Sequence, residues 1–431
     1  MKETRYSVYK ASGVEWLGEI PEHWGSIRIK NACIINENSL PESTSKTFDF
    51  EYVDIGSVSF EHGVFQSEKF NFKNAPSRAR RLAKSGDVIV STVRTYLKAI
   101  DYINEVNADK IFSTGFAVLN PVKIDSKYLL HCIRNDSFTY QVDEIAKGMS
   151  YPAINTTDLG SLHILIPPLS EQKAIAEFLD QKTALIDQAI RIKDKQITLL
   201  KERRQILIHQ AVTRGLDPTV KLKDSGVEWI GEIPEGWEVK RCKYLFYEVT
   251  ERSIDGKEEL LSVSHMTGVT PRSEKNVSMF MSEDYSGSKL CQKEDLIYNI
   301  MWAWMGALGV ANQSGIVSPS YGVYRQLNSD SLNIQFIDYK LKTSGYIEYH
   351  NKVSTGLHSS RLRFYAHMFM NMEIDFPEID IQNKIVEYIN TGCQKIEAAI
   401  SLKMREIEKL KEYKATLING AVTGIIKVMG T

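Results

Sequence analysis

Two stretches of the chain place apolar residues at alternating steps of four and three. The first seam runs Ile186, Ile190, Lys193, Ile197, Leu200, Arg204, Leu207, and the second runs Ile396, Ile400, Lys403, Ile407, Leu410, Lys414, Leu417. This is the seam spacing of a coiled coil, and both copies interrupt it with a basic residue at the same two places. No proline falls between Ser170 and Val212, and Gly215 stands where a C-terminal stop belongs. Ser170, followed by Glu171 and Gln172, predicts the N-cap. Each helix should therefore span about 40 residues, roughly 60 Å. Matched seams predict antiparallel packing of one helix on the other; the alternative is that each packs separately on its own domain.

Between the helical stretches the pattern changes to short β-rich runs punctuated by Gly, Asn, Asp and Pro. Phe50–Ile55, Asp87–Val93 and Phe112–Leu119 predict strands in the first half, with Asp295–Ile300 and Gly322–Leu327 in matching places of the second. The chain is duplicated. SGVEWLGEIPEHW at Ser12–Trp24 returns as SGVEWIGEIPEGW at Ser225–Trp237, with 11 of 13 positions identical. The helical run from Ile166 (IPPLSEQKAIAEFLDQKTALIDQAI) is echoed from Phe376, where Phe376-Pro377-Glu378-Ile379 replaces Ile166-Pro167-Pro168-Leu169 and Gly392 falls inside the helical pattern. Gly86–Ala99 aligns with Glu294–Ala307, so the two middles should share a fold while their surfaces differ.

The predicted fold class is α+β: two similar mixed α/β domains separated by a pair of long antiparallel coiled-coil helices, with a pseudo-two-fold internal repeat. The expected boundaries are 1–165, 166–220, 221–375 and 376–431. Ala211–Pro218 leads from the first helix into the second opening segment, and its counterpart Ala421–Gly424 stands where another copy would begin. The N-terminal segment is therefore expected to dock beside the end of the second helix. Trp16, Trp24, Trp229 and Trp237 belong to the duplicated frame and are expected to pack between an opening segment and a helix end.

Composition excludes several classes. At 431 residues two or three domains are expected. No apolar run reaches the ~18–20 residues of a membrane span, and MKETRYSVYK is no signal peptide. Five scattered cysteines without a CxxC pair fit a reduced, cytoplasmic protein lacking a zinc site or disulfide framework. Phosphate-binding loops, dinucleotide fingerprints, HExxH and GxSxG are all missing. Ile166-Pro167-Pro168-Leu169 lacks the polar and aromatic ends of an amino-methyltransferase motif and reads as a rigid stop before the helix. Asp125-Ser126-Lys127 has no second acidic ligand at sensible spacing and reads as loop. The chain should bind rather than catalyse.

The net charge of −1 advertises no polyanion partner, yet Glu68–Lys98 holds eight basic residues against two acidic ones. Lys73, Arg78, Arg80, Arg81 and Lys84 are candidate phosphate contacts, unless they form only a solvated basic loop. Arg94, Tyr96 and Lys98 alternate at the end of a strand-like run and should share one face. Trp302, Trp304 and Gly306 hold the aligned positions, and different side chains on a shared frame are what two different readouts require; the alternative is that the tryptophans are core. Lys289 joins the candidates of the second copy.

The segments GVEWLGEIPEHW, IPPLSEQ and LLKERRQILIHQAVTRG together resemble the specificity subunit of type I restriction–modification systems, over nearly the whole chain and in the family's order. The resemblance implies recognition of a split double-stranded DNA target, one half per recognition domain. It also implies two methyltransferase (modification) subunits docked on the helices and carrying S-adenosylmethionine, and restriction/translocase subunits using ATP and Mg. It implies no cofactor and no membrane for this chain. A strut of roughly 60 Å can place two readers on grooves one helical turn, roughly 34–36 Å, apart. The resemblance also places the glycine-led loops near DNA, adding Lys147, Ser150 and Tyr151 in the first copy and His358, Arg361 and Arg363 in the second. Those glycines also suit plain tight turns. Lys201, Glu202, Arg203 and Arg204 are candidates for the modification-subunit interface, or simply a solvated face. A two-headed protein-binding adaptor without DNA specificity is the rival reading.

Overall fold

The computed structural model describes residues 5–14, 17–274, 284–356 and 362–428. They form two compact units, the first built from Met1–Asp194 with Met404–Thr431 and the second from Lys195–Lys403. Both long helices form, over Leu169–Arg214 and Ile379–Val422, and each contributes one portion to each unit. The first helix begins at Leu169, two residues earlier than an N-cap at Ser170 implies, so Ser170 lies inside its first turn; the Pro168 carbonyl accepts the N–H groups of Glu171 and Gln172. The second helix runs through Gly392 without a break. A Cβ there would stand 2.8 Å from Leu207 Cδ1, so the glycine admits the facing helix.

The two helices are antiparallel within each unit. In the first, Lys193 Nζ donates to Glu406 at 2.6 Å and Lys414 Nζ to Asp187 at 2.7 Å. In the second, Arg204 Nη1 donates to Glu397 at 3.3 Å. Lys193, Arg204 and Lys414 of the seam thus each meet a carboxylate on the opposite helix. Between Arg191 and Gln205 the first helix shields only Lys193, Ile197, Leu200 and Arg204, which are the seam positions. Here stability rests on a narrow stripe and its flanking charges.

Each unit has one four-stranded antiparallel sheet with the same order. In the first unit it runs Ile100–Tyr102, Val88–Ser91, Phe116–Pro121, Cys33–Ile35; in the second, Leu308–Val310, Leu296–Tyr298, Gly322–Gln326, Phe246–Glu248. The first unit adds a second four-stranded sheet, Glu68–Asn71, Asp49–Val53, Ile111–Ser113, Ala79–Leu82, where the second unit has separate strand pairs. The single run read from Phe112 to Leu119 is two strands in different sheets. Gly115 makes the crossing, because a Cβ on it would lie 2.5 Å from Ile55 Cδ1.

Both cores are filled by pieces of both long helices. In the first unit Ile20 and Trp24 share a core with Ile175 and Leu179 of the first helix and Leu417, Ala421 and Val422 of the second. Tyr9 Oη donates to the Gly424 carbonyl at 3.0 Å, so the N-terminal segment docks at the end of the second helix as expected. In the second unit Trp237 packs with Ala211 and Val212 at the end of the first helix and with Ile385 and Ile389 of the second. Trp229 stacks on Tyr349 at 4.4 Å; Trp16 lies outside the described residues. One glutamine per unit fastens the start of a long helix. Gln172 donates to the Pro167 carbonyl and accepts from Asp125 N, both at 2.8 Å, while Gln382 does the same with Pro377 and Asn333 N.

The repeat replaces an apolar cluster with a buried ion pair. The seventh residue of helix Ser126–Arg134 is Cys132, and of helix Ile334–Leu341 it is Lys340. The third residue of strand His163–Ile166 is Leu165, and of Glu373–Phe376 it is Asp375. Lys340 Nζ donates to Asp375 at 2.5 Å and to the Val212 carbonyl at 2.8 Å, with both charged side chains 2% exposed. Tyr346 Oη adds a hydrogen bond to Asp375 at 3.0 Å. A buried pair gains little over a well-packed apolar pair, but a lone buried charge is costly. Asp375→Leu should therefore lower the stability of the second unit by about 3–5 kcal/mol, and adding Lys340→Met should recover most of it. Calorimetric unfolding of the single and double variants tests this; additive losses would contradict it.

Candidate nucleic-acid interface

The structure brings two of the sequence-predicted groups together in each unit. In the first, the strand ends at Ser91 and the chain turns back through a 3-10 turn, Thr95–Leu97. Ser91 N donates to the Ala99 carbonyl at 2.9 Å, and Ile154 N to the Thr92 carbonyl at 2.8 Å. Lys147 and Ala153 exchange both backbone hydrogen bonds, closing the loop that holds Ser150 and Tyr151 beside the turn.

The second unit repeats these four backbone hydrogen bonds. Asn299 N donates to the Ala307 carbonyl at 2.9 Å and Phe364 N to the Ile300 carbonyl at 3.0 Å, and Thr355 and Arg363 exchange backbone hydrogen bonds. The 3-10 turn is Ala303–Met305. His358 and Arg361 lie outside the described residues; the half-buried Arg363 stands where the first unit has Ala153.

On these two platforms the side chains differ. Arg94, Tyr96 and Lys98 do not share a strand face, as their alternation predicted, because Thr95 is buried and folds the segment into a turn. Arg94 (φ +53°) and Lys98 (φ +45°) both take the left-handed conformation, which glycine tolerates best. The Arg94 guanidinium lies 5.2 Å from the centre of the exposed Tyr151 ring. Lys98 approaches Asp136 at 3.6 Å and the Phe60 ring at 5.9 Å. Opposite Lys98 in the repeat stands Gly306, at φ +84°. Trp302 is 45% exposed and stacks against Trp304 at 5.9 Å, so neither indole is core. Met149, fully exposed in the loop, and Asn299, buried under the turn, were not singled out from sequence. Asn299 was within reach, since it lies in the aligned Glu294–Ala307 segment.

The basic run is not one surface. Lys73 and Arg78 are exposed. Arg80 and Arg81 are neighbours on strand Ala79–Leu82, so their side chains leave opposite faces. Arg80 lies over the Phe72 ring at 4.6 Å; burial pushes Arg81 below its usual value and leaves its Nε without a partner. Lys84 pairs with Glu37 at 3.1 Å. Lys289 is buried and paired with Glu248 at 3.1 Å, so its charge is already matched within the unit. On the first long helix Lys201, Glu202 and Arg203 are exposed, whereas Arg204 turns into the seam.

No reactive centre accompanies the platforms among the described residues. Burial pushes the thiols of Cys33, Cys132 and Cys291 up to about 12. No group of three His, Cys, Asp or Glu side chains among the described residues is placed to hold a metal. His350 lies under the second platform, beside Tyr298 and Phe364, and burial pushes it down to about 3. Its counterpart, the seventh residue of helix Asp136–Ile145, is Val142.

Two outcomes follow from the platforms. Lys98→Gly should stabilise the first unit by about 0.5–1 kcal/mol, since relief of the left-handed strain exceeds the entropy glycine adds to the unfolded chain; unchanged thermal unfolding would contradict it. For His350 the unfolded chain takes up a proton near pH 6.5 while the folded unit resists until about 3. The second unit should therefore lose about 1.4 kcal/mol per pH unit as pH falls through this window. His350→Val should flatten that slope, as read by denaturant unfolding from pH 7 to 4.

The comparisons agree with this architecture. The family model of the type I restriction modification DNA specificity domain matches residues 21–200. The MjaVIII type I restriction enzyme specificity subunit of Methanocaldococcus jannaschii is 25% identical over 348 residues, 75% of this chain and 77% of its own. A chain from a structure of the complex assembly and conformational transition of the type I R-M system superposes with a TM-score of 0.74 at 21% identity, covering 94% of this chain and 98% of that one. The HsdS subunit of Thermoanaerobacter tengcongensis gives 0.58 at 22% identity with the same coverage. With its duplicated frame and paired long helices, the chain matches the type I restriction modification DNA specificity domain over residues 21–200 and resembles, over most of its length, specificity subunits of type I restriction–modification systems.

Proposed function

We propose that each platform reads one half of an asymmetric, bipartite double-stranded DNA target. The observation that carries this reading is a backbone frame built twice, with the same four closing hydrogen bonds, and dressed with Arg94, Tyr96, Lys98 and Tyr151 in one unit and Trp302, Trp304 and Arg363 in the other. Contacts to DNA phosphates set register and a few side chains at base edges carry sequence information, so a repeated frame with exchanged side chains suits two different half-sites. Arg94 is a candidate for bidentate guanine recognition. Lys73, Arg78 and Lys147 are candidates for phosphate contacts. Lys201, Glu202 and Arg203 lie on a helix face proposed to seat the modification subunits. In this reading S-adenosylmethionine belongs to two modification subunits, ATP and Mg belong to restriction subunits, and the complex works in the cytoplasm. No described helix is long and apolar enough to cross a membrane.

The test is the methylome of cells expressing this chain with its modification subunits, against cells lacking it. A new two-part motif with unlike halves is expected, methylated on both strands. Arg94→Ala should relax one half-site by about 1–3 kcal/mol of base discrimination and leave the other intact. Duplex binding should weaken steeply as salt rises. Salt-insensitive binding and an unchanged methylome would favour the protein-adaptor reading.

A further inference from the structure

Trp302 is an unusual group to place at the tip of a rigid turn. Asn299, buried beneath it, fixes the turn from three directions: its carbonyl accepts Trp302 N at 2.9 Å, its Oδ1 accepts Met301 N at 3.2 Å, and its Nδ2 donates to Tyr321 Oη at 3.0 Å. Trp304 cannot swing out, because its Nε1 donates to the Met301 carbonyl at 3.0 Å. Its ring therefore backs Trp302, with planes 28° apart. At the far end Gly306 closes the turn against Ile347, which would stand 3.1 Å from a Cβ. The result is an apolar face held outward by polar anchors, at the place where the first unit holds Arg94.

Resting on the DNA reading above, we propose that the second platform recognises thymine through its C5-methyl group, with Trp302 as the specificity-determining residue. The chemistry of the groove narrows the choice. An indole offers one N–H donor and no acceptor, so it cannot match the paired donor and acceptor of adenine or the paired acceptors of guanine. Pressed on such an edge, it would strip water from polar groups without replacing it. The thymine methyl is the one apolar group that base edges display in the major groove. The first platform, with the Arg94 guanidinium over Tyr151, has the opposite preference. The two half-sites would then differ in chemistry as well as in sequence, one polar-edged and one methyl-marked.

The experiment uses the chain assembled with its modification subunits. Duplexes selected from a random library define the motif. Each thymine of both halves is then replaced singly by deoxyuridine, which removes only the methyl group. One replacement should weaken binding about three- to fivefold, the value of one buried methyl-sized group. The same replacement should have no effect on the Trp302→Ala protein. A motif in which no uridine matters, or in which uridine sensitivity survives Trp302→Ala, overturns the proposal. So does tighter binding to a mismatched step without uridine sensitivity, which would mark Trp302 as a wedge between bases. Failure to enrich any motif would instead overturn the DNA reading itself. The uridine scan itself is run on the natural protein and does not depend on how well the variant folds, and retained binding of Trp302→Ala to the unmodified motif shows that the variant is assembled.

Discussion

Both units depend on the burial of a helix terminus against a tryptophan of the duplicated segment. Trp24 is fully buried beside Val422, and Trp237 is nearly so beside Val212. A buried indole of this kind is worth roughly 3–5 kcal/mol against alanine. In the second unit the Val212 carbonyl, in the last turn of the first helix, additionally accepts from the Lys340 ammonium, which itself lies 4.8 Å from the Trp237 ring. The sheets, the fastening glutamines and the platforms are arranged around these closed ends.

The duplication made much of this legible. A repeated segment with two invariant tryptophans has to belong to the frame, and a seam with matched interruptions has to face another seam. Both inferences need only periodicity and identity. The antiparallel pairing of Lys193, Arg204 and Lys414 with carboxylates was not written in either seam alone, since it depends on which residue of the facing helix comes opposite. Sequence also failed at short range. Arg94, Tyr96 and Lys98 alternate like a strand, but Thr95 has a buried place to occupy and the chain pays for it with two left-handed residues. The split of Phe112–Leu119 between two sheets likewise turns on the absence of a Cβ at Gly115. Charge density misled in a third way: eight cations in one stretch are dispersed by strand alternation, aromatic cover and ion pairs over several surfaces.

The comparison between units is an internal experiment in substitution. Where one has Cys132, Leu165 and Phe138, the other has Lys340, Asp375 and Tyr346, at matching places on the same succession of two helices and a strand. The frame thus tolerates exchange of a whole interacting set, in its interior as on its platforms. That tolerance suits a recognition protein, whose surface must vary while its skeleton stays put.

The division of the chain between the units has a consequence for how the protein is made. The second unit is one continuous stretch, Lys195–Lys403, and its core can close as soon as that stretch has left the ribosome. The first unit is synthesised first, yet Ile20 and Trp24 wait for Leu417, Ala421 and Val422. At ordinary translation speeds that interval is roughly tens of seconds. During it the earlier-made of the two units carries an open apolar seat, so the unit started first is the last to be finished.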